Sequence, residues 1–168
     1  MTNHGAGSGA VSRCGGPAGP HDHRICIEDA LDEAARICAA RGTQLTPLRR
    51  RVLELVWANH SSVKAYDLLD RLGSEGRPAK PPTVYRALDF LIEQGLVHKV
   101  ESLNAYVGCP HPSAPHDGQF LICTDCGRVD EMTDPDVPVA IREGAAAAGY
   151  LAQGQTIEIR GLCPQCRA

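Results

Sequence analysis

Two Cys-x-x-Cys pairs, Cys123/Cys126 and Cys163/Cys166, dominate the chemistry available to this chain. Two intervening residues let one tight turn aim both sulfurs at one ion, and four thiolates make the ligand set of a closed tetrahedral zinc site. The 36 residues between Cys126 and Cys163 suffice to build a small lobe and return to the same ion. The fold of this region should then depend on metal. Taken alone, the pattern also allows a dithiol redox switch.

A looser set lies around the first pair: His98, Cys109, His116 and Glu131. Two neutral imidazoles, one thiolate and one carboxylate match a +2 ion, and the thiolate biases the set toward zinc over iron or manganese. On spacing alone His111 competes with His116, His98 reads equally as an ordinary strand residue, and Glu131 as a solvated one. A hydrolase with Glu131 as base would need an open metal position, and four protein ligands leave none. Neither a phosphate-binding glycine loop nor a nucleophilic triad pattern is found, so neither an enzyme nor a small-molecule substrate is expected.

A third group of residues suits nucleic acid. The net charge of −3 argues against it at first, but it averages over a gradient. Residues 41–86 hold nine Lys/Arg against four Asp/Glu, whereas residues 104–168 hold four against eight, so a basic reader beside an acidic metal-binding part is the natural division. On the outer face of a helix over 83–94 stand Tyr85, Arg86 and Asp89; Arg can grip guanine bidentately, and Tyr can meet a thymine methyl or a phosphate. Arg49, Arg50, Arg51, Lys64 and Lys80 are candidates for phosphate contact.

The elements that must position these residues are legible from periodicity. Ile27, Ala30, Leu31, Ala34, Ala35 and Cys38 form one helical face, which makes Cys38 a core thiol. Thr46-Pro47 starts a second helix, Ser61 or Ser62 caps a third, and Val84, Ala87, Leu88, Leu91 and Ile92 mark a fourth over 83–94. Residues 96–100 and 105–107 read as a β-hairpin around Ser102-Leu103-Asn104. Helices followed by a hairpin describe a winged helix-turn-helix, with the last helix as reader and the hairpin as wing. Strands at 119–122 and 128–132, a helix at 137–148 and a strand at 156–160 then form a small α+β lobe whose sheet edge invites a second copy.

The predicted organisation is a disordered Gly/Pro/His-rich tail (1–26), a winged-helix DNA-binding domain (27–103), a hinge (104–110) and a metal-binding dimerisation domain (111–168). Only 4% of residues are aromatic, so each lobe needs help from metal or dimerisation. The start lacks an apolar signal core and no run approaches membrane-spanning length, which places the chain in the reducing cytoplasm with no membrane partner. Cys14, His21 and His23 in the tail have no assigned role.

The long motifs Lys80-Pro-Pro-Thr-Val-Tyr-Arg-Ala-Leu-Asp-Phe90, Glu93-Gln-Gly-Leu-Val-His-Lys-Val-Glu-Ser102 and Leu45-Thr-Pro47 resemble the ferric uptake regulator family of metal-dependent repressors, within it the zinc uptake regulator branch. The resemblance runs from Ile27 to Cys166 and leaves out the tail. It implies a homodimer that binds palindromic DNA operators of zinc-uptake genes, with two zinc ions per protomer. One would be structural on Cys123, Cys126, Cys163 and Cys166; the other regulatory on His98, Cys109, His116 and Glu131. Tyr66, Tyr85 and Arg86 occupy the family's DNA-contact positions. The sequence departs from the iron-sensing branch in lacking a dense His run between Cys109 and Cys123, and Cys109 speaks against the alternative of an iron, manganese or peroxide sensor.

Overall fold

The computed structural model describes residues 23–58, 61–76, 78–113 and 117–167. Four helices come first: α1 (His23–Ala40), α2 (Pro47–Trp57), α3 (Ala65–Ser74) and α4 (Pro81–Glu93). The Thr46 side chain accepts from the Arg49 amide at the start of α2, with Pro47 just inside the helix, as its sequence requires. Pro81 and Pro82 open α4, two residues earlier than expected, because a proline needs no amide partner in a first turn. Leu53, Leu68, Leu72, Leu88 and Leu91 meet fully buried between α2, α3 and α4. Each such burial stabilises by about 1.5–3 kcal/mol. Cys38 lies in this core, as its helical face predicts.

The hairpin pairs β1 (Val97–Val100) antiparallel with β2 (Ala105–Gly108) around a short 3-10 turn, Glu101–Leu103. Asn104 closes that turn in the left-handed region at φ 46°, where a short polar side chain is tolerated. Residues 104–110, expected to form a hinge, include β2, which pairs with β1 along its length. One expectation needs correction: the cap of α3 is Lys64, not Ser61 or Ser62. The segment that holds those serines is engaged in backbone pairing instead: Val63 forms a β-bridge with Tyr106 of β2, and Ser61 forms one with Arg128.

The second lobe has β3 (Gly118–Cys123), β4 (Val129–Glu131), α5 (Asp136–Ala147) and β5 (Thr156–Gly161). Its sheet order is β4-β3-β5, with β4 antiparallel and β5 parallel to β3. The parallel pair needs a crossover, and α5 provides it. A second core joins the lobes: Val100 of the wing packs with Phe120, Ile122 and Val129 of the sheet, flanked by Leu103 and Val107. No helix among the described residues is long and apolar enough to cross a membrane.

Gly108 at the end of β2 lies flat against Trp57 of α2, where an added Cβ would fall within the indole ring. Gly108→Ala should therefore destabilise the chain by about 1–3 kcal/mol, read as a lower urea midpoint. Trp57→Leu in the same chain should recover part of the loss.

Candidate metal centres and nucleic-acid interface

The parallel register of β3 and β5 aligns Cys123 with Gly161, so both strands end at the same edge of the sheet. The loops that follow carry the two Cys pairs to one place. The Thr124 amide donates to the Gly161 carbonyl at 2.8 Å, and the Cys163 amide donates to Cys123 Sγ at 3.4 Å. The four sulfurs of Cys123, Cys126, Cys163 and Cys166 all lie within 4.8 Å of one another. Cys126 Sγ and Cys163 Sγ are 3.8 Å apart. A tetrahedron with metal–sulfur bonds of about 2.3 Å has edges of about 3.8 Å, so the donor set fits zinc in kind and in size.

The electrostatics point the same way. Backbone amides of Cys126 and Cys163 pull the Cys123 thiol down to about 6. Hydrogen bonds with Asp125 and the neighbouring sulfurs push Cys166 well up. Adjacent thiols resist joint ionisation unless a cation offsets their repulsion.

The second cluster forms where the lobes join. His98 stands in β1, Cys109 follows β2, and Glu131 ends β4; their ligand atoms also lie within 4.8 Å of one another. The Cys109 amide donates to the Leu96 carbonyl at 3.0 Å, which continues the hairpin ladder and fixes the thiol. His98 Nε2 is 3.4 Å from Glu131 Oε1, the two side chains being 18% and 6% exposed. Phe120 holds the imidazole edge-on, with ring centroids 5.4 Å apart. Gly118 leaves room for that phenyl ring, which a Cβ there would strike. Burial, reinforced by the Glu131 charge, pushes Cys109 up to about 12, so the thiol stays protonated at neutral pH until a cation offsets that cost. Imidazole, thiol and carboxylate, three donors gathered at one point, suit zinc. His116 lies outside the described residues, as do Cys14, His21 and the side chain of His23. His111 is exposed and is not gathered into the cluster.

The residues expected to meet DNA divide into two groups. Tyr66 (74% exposed), Tyr85 (41% exposed), Arg86, Arg50, Lys64 and Lys80 all present their side chains to solvent. Tyr66, Tyr85 and Lys64 line one cleft of about 120 Å³. Leu103 and Asn104 of the wing turn form its other wall. The sequence marked these two only as a turn; an exposed Asn at a wing tip was the available signal. Arg49 and Arg51 are instead tied into the fold. Arg49 lies 3.5 Å over the Phe90 ring and donates to the Gln44 carbonyl. Arg51 pairs with Glu54 and Glu75, which raises its pKa further and neutralises it locally.

A sequence profile described as the Ferric uptake regulator family matches residues 40–160. The zinc uptake regulation protein of Escherichia coli is 46% identical over 144 residues, covering 85% of this chain and 84% of the relative. Two solved structures resemble the fold closely. One, a zinc uptake regulator complexed with zinc and DNA, has a TM-score of 0.80 at 45% identity, covering 84% of this chain and 95% of the other. The crystal structure of holo XcZur has a TM-score of 0.76 at 46% identity, covering 83% and 97%.

If the four sulfurs hold the second lobe together, Cys163→Ala should remove at least about half of the zinc and open β3, β4 and β5 to amide exchange, while α2 to α4 stay protected. Elemental analysis and exchange mass spectrometry check this together; a protected sheet after loss of the ion would contradict it.

Proposed function

The chain belongs to the ferric uptake regulator family, and on that premise we propose that it is a zinc-responsive transcriptional repressor of zinc-uptake genes, acting as a cytoplasmic homodimer on palindromic operators and not as an enzyme. The observation that carries the reading is the convergence of His98, Cys109 and Glu131 across the join between wing and sheet. The organisation proposed is a DNA-reading lobe from α1 through β2 and a dimerisation lobe from β3 onward.

In this reading Cys123, Cys126, Cys163 and Cys166 hold a permanent zinc, and His98, Cys109 and Glu131, with His116 as fourth ligand by motif position, hold an exchangeable one. Zinc at the second site supplies the positive charge that lets Cys109 ionise beside Glu131. His98 and Cys109 belong to the hairpin and Glu131 to the sheet, so their common engagement fixes the angle between lobes. That angle sets the separation of the two α4 helices in a dimer, which must match one duplex turn. A 100-fold preference for the DNA-bound form requires about 2.7 kcal/mol of coupling.

The dimer reading is supported by an apolar surface on the second lobe. Leu121 and Ile159 are register partners on the outer face of β3 and β5, 40% and 46% exposed. Val139, Ile141, Leu151 and Leu162 are exposed nearby in the chain, and only Pro138 of α5 is buried. Specificity would rest on Arg86 and Tyr85 of α4, and phosphate contact on Arg50, Lys64, Tyr66 and Lys80.

Retention of sheared genomic DNA, with zinc and with a chelator that strips only the weaker site, tests the reading. Zinc-dependent enrichment of a shared palindrome is expected; equal retention in both conditions would discard the sensor. Arg86→Ala should lower operator affinity at least about tenfold, the size of one bidentate base contact, with zinc content unchanged. Cys109→Ser should halve the zinc, keep the dimer and abolish zinc-dependent binding; a wild-type zinc response would remove Cys109 from the site.

A further inference from the structure

Beyond the ligands, one side chain of the dimerisation lobe reaches the wing itself. Glu158 lies in the middle of β5, opposite Phe120 of β3. Its Oε1 accepts from the Glu101 amide at 2.7 Å, and its two oxygens accept from the Ser102 amide at 3.4 and 3.2 Å. Glu101 and Ser102 are the first two residues of the 3-10 turn at the wing tip, where amides have no partner within the turn. A carboxylate there satisfies those amides and complements the turn's positive end. From the same strand, Arg160 Nη2 reaches the Ser102 carbonyl at 3.5 Å. Burial pushes Glu158 up, but the hydrogen bonds from Ser102 and from the Glu101 amide, together with Arg160, outweigh it and leave the carboxyl below its ordinary value.

The far side of the same turn is the wall of the cleft on the DNA-facing surface. Leu103 and Asn104 directly follow the two clamped residues and face Lys64, Tyr66 and Tyr85. We infer that Glu158 is a positioning residue for operator recognition: a latch, separate from the metal ligands, by which the dimerisation lobe sets the wing turn and the cleft it shares with α3 and α4. The inference rests on the repressor reading given above. Metal ligands fix the base of the hairpin at His98 and Cys109, and Glu158 fixes its tip. A wing held at one end only would pivot; held at both, it presents Asn104 to DNA at one depth.

The test compares full-length zinc-loaded wild type with Glu158→Ala and Glu158→Gln. In Glu158→Ala the Glu101 and Ser102 amides should exchange at least about tenfold faster, and operator affinity at saturating zinc should fall about tenfold, the worth of a charge-assisted hydrogen bond. Zinc content, dimerisation and retention of unrelated DNA should stay at wild-type levels, which a general loosening of the fold would not spare. Glu158→Gln, which keeps an acceptor without the charge, should fall between the two. Unchanged exchange at both amides, or freed amides with unchanged operator affinity, would overturn the latch. Failure of wild type to bind any DNA in response to zinc would overturn the repressor reading instead, and amide exchange would still decide whether Glu158 holds the turn.

Discussion

The burial of the Cys109 thiol beside the Glu131 carboxylate organises the centre of this molecule. Both groups are buried at the join of the two lobes, and burial first, then the Glu131 charge, makes ionisation of the thiol costly. A fold under selection only for stability would place apolar side chains there, as it does a few ångströms away with Phe120, Ile122 and Val129. Keeping a thiol and a carboxylate together there suits a cation, which would offset the cost of ionising the thiol. The wing, the second core and the sheet are arranged so that this contact lies between the helices with their hairpin and the β3–β5 sheet.

The two metal clusters are built by different means. The four-cysteine set depends on one sheet register, because parallel strands of matched ends deliver both loops to the same edge. Its ligands all come from one lobe and close it. The His98–Cys109–Glu131 set depends on the relation between lobes and inherits whatever rigidity the wing has. That rigidity comes from several sources of modest size: the hairpin ladder, the Val63–Tyr106 bridge, the Ser61–Arg128 bridge and the small shared core. With few aromatic residues to bury, the helices rely on a core of Leu and Val, and the join between lobes on backbone pairing beside its small core.

Much of this was readable in the sequence, for identifiable reasons. Cys-x-x-Cys spacing is a local constraint, so both pairs were plain, and helical period with start and stop signals located the five helices of the described residues to within a few residues. His98, Cys109 and Glu131 come from three separate elements, so spacing could offer them only among alternatives, and the resemblance to a known family singled out the set. Local rules failed where tertiary pairing intervened. Ser61 looked like a helix cap but its backbone is used in a bridge, and Arg49 and Arg51, read as phosphate ligands, also hold partners within the chain, Phe90 for one and Glu75 and Glu54 for the other. Glu158 looked like the polar half of an alternating strand, and nothing in its own segment indicates the turn 56 residues earlier that it holds.

The contact between Gly108 and Trp57 has an optical consequence. Trp57 is the sole tryptophan of the chain, and its indole rests on the residue that immediately precedes Cys109. A shift of the backbone that carries the buried thiol would therefore alter the packing of that one ring. The molecule thus carries an intrinsic probe beside the join between lobes, excitable apart from the tyrosines and requiring no dye.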